Sequence, residues 1–84
     1  MRRKPCPING VDSILDHYGI AGPMRATYCD FAKEIQKIQN DILKGKQPQS
    51  SIDDIINKYL TYSANPQILN EILKIFPLVW QSGN

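Results

Sequence analysis

Apolar residues recur along residues 23–44 at spacings of four, three, four, three and four: Met24, Tyr28, Phe31, Ile35, Ile38, Ile42. At 100° per residue they share an arc of about 80°, the signature of one amphipathic helix. Ala32 and Leu43 widen that arc on one flank. Asp30, Lys33, Glu34, Lys37, Asp41 and Lys44 occupy the opposite face. Pro23 suits the first helical position, where its missing N–H costs nothing. Gly45 can take the left-handed conformation that closes a helix. A helix of this length spans ~33 Å, and a compact chain of this size is only about 30 Å across. The helix must therefore traverse the body or protrude from it. The three/four alternation also suits a coiled-coil seam, but it lasts only about three heptads. A self-contained bundle core is the favoured expectation.

Three shorter periodic segments flank it. Val11, Ile14, Leu15 and Tyr18 form one stripe, predicting a helix over 10–18 with Asn9 as its N-cap and Gly19–Ile20 as its close. Ile52, Ile55, Ile56, Tyr59 and Leu60 predict a helix over 51–63. Ser51 caps it, and Asp53 and Asp54 complement its dipole. Asn65-Pro66 is an N-cap followed by proline at the first position, opening a helix over 66–76. Pro77 is expected to stop or kink it. The fold class is therefore all-α: a small four-helix bundle around the long helix. One domain is expected over 9–80, between a flexible basic tail (1–8) and a disordered end (81–84). No internal repeat or low-complexity tract is visible.

Composition refines this picture. The 84 residues sit near the size where one core is marginal, which makes association with a partner a live expectation. The net charge of +2 comes from Arg2, Arg3 and Lys4; the rest of the chain carries seven basic and eight acidic residues. A near-neutral body is a poor footprint for phosphate binding. The basic start runs into Pro5-Cys6-Pro7 and not into an apolar segment, so no signal peptide is read. The longest apolar run, Ile75 to Trp80, contains a proline and is too short to span a membrane. A cytoplasmic location follows as the expectation, with Cys6 and Cys29 as free thiols.

Candidate chemistry is sparse. His17 lies on the polar side of its helix with no nucleophile at a recognised spacing. Cys6, His17 and Cys29 lack the paired spacing of a zinc site. Asp53 and Asp54 are explained by capping, and the glycines make no phosphate loop. No enzyme, cofactor, metal or small-molecule substrate is read. The stretch from Ile14 to Ile35 resembles in outline the turn of a helix-turn-helix DNA reader, with Arg25 and Thr27 opening the second helix. Leu15 stands where that motif prefers a small residue, and Arg25 where it wants a buried aliphatic. Nucleic-acid binding through Arg2, Arg3, Lys4 and Arg25 is thus the alternative, not the main reading. The main reading is a non-catalytic interaction module, an adaptor, regulator or assembly subunit, expected to associate with itself or another protein. The wide apolar arc of 66–76 and the Leu78-Val79-Trp80 tail nominate Leu69, Leu73, Phe76, Leu78, Val79 and Trp80 as its contact surface.

Overall fold

The computed structural model describes residues 6–62 and 64–82, with the side chains of 80–82 outside the description. The element order is α1 (Val11–His17), α2 (Pro23–Leu43), α3 (Ile52–Leu60), α4 (Pro66–Leu73) and α5 (Pro77–Ser82). Among the described residues there is no strand, and no helix is long and apolar enough to cross a membrane.

The long helix organises the packing as its periodicity requires. Its 21 residues rise ~31 Å, most of the 40 Å long axis of the molecule. All four other helices pack on it. Tyr28, Phe31, Ala32, Ile35 and Ile38 are buried, while Met24 and Ile42 are half-buried at the ends of the stripe. Leu43 departs from the expectation. It is 66% exposed, at the last residue of the helix and on the flank of the stripe, while its neighbour Ile42 still packs against the core.

Local rules set most boundaries. α1 and α2 both close with a glycine at positive φ, Gly19 at 69° and Gly45 at 73°. The following N–H reaches back five residues in each case, Ile20 to Leu15 at 2.9 Å and Lys46 to Asp41 at 2.8 Å. This is the Schellman closure, and only glycine takes that backbone conformation without a Cβ penalty. Ser51 Oγ accepts from the Asp54 N–H at 3.1 Å, and Asn65 Oδ1 from the Gln67 N–H at 2.9 Å. Both caps stand where the sequence places them. Asn9 does not cap α1: Gly10 is the N-cap residue and makes no side-chain cap bond.

Three other boundaries are corrected. α3 ends at Leu60, not 63. α4 ends at Leu73, and Pro77 opens a fifth helix that extends to Ser82. Proline fits the first helical turn as well as it breaks an interior. Residues 81 and 82 are thus helical; 83 and 84 lie outside the described residues.

The core joins Val11 and Leu15 of α1, the α2 stripe, Ile55 and Tyr59 of α3, and Ile68, Leu69, Ile72 and Leu73 of α4. Phe76 and Val79 close it from the C-terminal side. Two tyrosine hydroxyls at its edge are paired. Tyr28, 1% exposed, accepts the Asn65 N–H at 2.7 Å and so ties the α3–α4 connection to α2. The Phe31 and Tyr59 rings meet edge-on at 5.2 Å. The Tyr59 hydroxyl donates to the Glu34 carboxylate in a short hydrogen bond.

Candidate functional site

Side-chain polar interactions concentrate where the segment before α1 meets α2. Cys6 and Cys29 form a disulfide, with their Cα atoms 5.7 Å apart. That spacing lies inside the range a disulfide bridges. The expected free thiols are therefore corrected, and so is the tail of 1–8: residue 6 is covalently fixed to α2, and Ile8 is buried in the core. Residues 1–5, which include Arg2, Arg3 and Lys4, lie outside the described residues.

Next to the disulfide, Arg25 of α2 bridges two carboxylates of α1. Asp12 and Asp16 stand one helical turn apart and so share a face. Arg25 donates to Asp16 Oδ1 at 2.8 Å, to Asp12 Oδ1 at 2.9 Å and to the Ile20 carbonyl at 3.0 Å. The other Asp12 oxygen accepts the Cys6 N–H at 3.0 Å. The hydrogen bond to Asp16 and the charge of both carboxylates raise the Arg25 pKa above its ordinary value, against a smaller effect of burial. The side chain of Arg25 is 22% exposed and that of Asp16 72%. The clamp thus works at the molecule's edge, where solvent screens it. An open groove lined by Cys6, Asp12, Asp16, Arg25, Cys29 and Asp30 runs over this patch. Among the described residues, no group of three or more His, Cys, Asp or Glu could hold a metal ion. The two cysteines weighed as zinc ligands are spent on each other.

The nominated residues fall into three sets. Leu69, Leu73, Phe76 and Val79 are buried in this chain's own core, so they are not the surface the sequence suggested. The reason is α5, which turns at Pro77 and packs on both α2 and α4. Leu78, 36% exposed, is left outside. Nothing is described of the Trp80 side chain. The second set is Arg25, whose guanidinium is committed to α1 and not presented as a base-reading group. The third, Arg2, Arg3 and Lys4, is outside the described residues. Sequence reasoning missed the disulfide and the clamp. Asp12 and Asp16 at i, i+4, with Arg25 across a short turn, were the signal that could have found the clamp.

Other exposed apolar groups are Leu43, Leu60 and Tyr62. Tyr62 rests edge-on against Tyr59, with ring centroids 5.8 Å apart. Lys58 pairs with Glu34 across the α2–α3 contact at 3.3 Å. Glu34 is thus drawn to α3.

This arrangement is a stapled helical scaffold. Residues 5–79 match the family described as Sulfolobus virus coat protein C terminal. The chain belongs to this coat-protein family. A protein of Sulfolobus islandicus rod-shaped virus 1 that carries a capsid-protein name is 35% identical over 66 residues, covering 77% of this chain and 49% of that protein. The major capsid protein of Sulfolobus islandicus rod-shaped virus 2 is 33% identical over the same shares of both chains. The major capsid protein of Saccharolobus solfataricus rod-shaped virus 1 is 30% identical over 66 residues, again 77% and 49%. The chain thus spans about half the length of the curated relatives it matches. No solved structure matches it.

Proposed function

We propose that this chain is a structural, non-catalytic coat subunit that acts by associating with further copies of itself. Of adaptor, regulator and assembly subunit, the coat family supports the last. The observation that carries the reading is the match of residues 5–79 to a coat-protein family whose relatives bear capsid names. The fold is consistent with the role. Helices packed around one long helix form a body that can be repeated, and its polar groups serve cohesion, not turnover. The disulfide also fits, since such bonds persist on virion surfaces and are uncommon in a reducing cytoplasm. On this reading the working location is the particle.

Arg25 counts against the helix-turn-helix alternative, because a DNA reader would need that guanidinium free. Phosphate contact through the basic start is a separate matter, and one experiment addresses both. The purified oxidised chain would be imaged by negative-stain electron microscopy over a range of concentrations, with and without duplex DNA. Ordered oligomers or filaments support the coat reading, and their dependence on DNA and on salt reports any nucleic-acid contribution. Isolated particles of monomer size under every condition would overturn it.

A further inference from the structure

We propose that the Cys6–Cys29 disulfide is a redox latch: oxidised, it holds the segment before α1 against α2; reduced, it lets that segment leave while the helical body stays folded.

The segment has few other anchors. Among the described residues of the segment, Ile8 is the one buried apolar side chain. Its backbone is held by the Cys6 N–H on Asp12, by the Val11 N–H on the Ile8 carbonyl, a long bond of 3.4 Å, and at its end by the Ile14 N–H on the Gly10 carbonyl at 3.2 Å. Among the described residues, no side chain caps the N-terminus of α1 behind it. The covalent bond is thus the strongest link between residues 6–10 and the body. α1 itself has separate ties. Val11 and Leu15 are fully buried, α1 packs on α4 as well as α2, and Arg25 binds its outer face. The α2–α4 core, centred on Phe31, Ile35, Ile68 and Ile72, does not depend on the segment. Breaking the latch therefore frees a short stretch and not a domain.

The bond is also reachable. Both cysteines are half-buried and line the open groove beside Asp12 and Arg25. A thiol reductant attacks one sulfur through its thiolate and forms a mixed disulfide, releasing the other cysteine as a thiol. A second reductant thiol then displaces the first. One protein disulfide and two reductant thiols become two protein thiols and one reductant disulfide. The proposal does not rest on the coat reading.

Hydrogen exchange on the full chain tests it, with and without dithiothreitol. The probes are the Cys6 and Val11 amides at the segment, and Phe31, Ile35 and Ile72 in the body. Closure of a loop across a sequence separation of 23 constrains the opened chain strongly. Reduction should therefore speed exchange at Cys6 and Val11 by about 100-fold or more, and at the body probes by less than about tenfold. Equal protection in both redox states would overturn the latch. So would loss of protection at all probes together, which would make the bond a general staple. Ile8→Ala in the oxidised protein separates the remaining case. With the bond intact, Cys6 and Val11 should stay within about tenfold of wild type. Release by Ile8→Ala alone would show that the apolar anchor, not the bond, holds the segment.

Discussion

Tyr59 places its ring against Phe31 and its hydroxyl on Glu34, and the consequence is a stability that depends on alkaline pH. Burial, then the hydrogen bond and charge of Glu34, push its pKa well above the usual 10.0. The unfolded chain releases the phenolic proton near the ordinary value, while the folded chain keeps it. The contribution is therefore complete below about pH 10 and is lost as pH rises beyond it, by up to ~1.4 kcal/mol per pH unit. Urea unfolding of wild type against Tyr59→Phe between pH 8 and 11 checks this. The wild type should lose the additional stability and the variant should not. Arg25 is a residue of a different kind. It joins two helices through three hydrogen bonds, two of them to carboxylates, yet its partner Asp16 stands in solvent. Arg25→Ala should cost only about 1 kcal/mol in the same assay, because Asp16 is well hydrated in either state.

At the scale of elements, the legible features were those that neighbours in sequence encode. The α2 stripe, the glycine closures and the caps at Ser51 and Asn65 need only a window of a few residues to be seen. Asn65→Ala should cost about 1 kcal/mol, read as a shift in the urea midpoint. Phe31→Ala, at the centre of the stripe, should cost about 3–5 kcal/mol. α5 was hidden because proline after an apolar run has two readings, a stop or a start. Only the packing of Val79 on the core selects the second. The same packing explains why the C-terminal residues looked like a contact surface. An apolar arc wider than one neighbour requires can serve a partner, but here two neighbours, α1 and α2, cover α4, and α5 adds a third.

For the whole molecule, the decisive contacts join positions distant in sequence. The spacing of Cys6 and Cys29 carries no pairing signal, and Pro5-Cys6-Pro7 says only that the chain there is extended. Cytoplasmic chemistry was the expectation that made free thiols the natural reading. The fold itself was legible because one long amphipathic helix dictates what must gather on its apolar side. The proposed coat role was not, since a self-associating subunit needs no catalytic spacing that could be recognised. Replacing both cysteines, Cys6→Ser with Cys29→Ser, should lower global stability by less than about 1.4 kcal/mol, because only the segment before α1 is released, measured by thermal unfolding against the oxidised wild type. Sedimentation velocity of the oxidised chain from micromolar to millimolar concentration tests the central claim most directly. The coat reading predicts a sedimentation coefficient that climbs with concentration well above that of a 9.5 kDa monomer. A single monomer boundary across the whole range would contradict it.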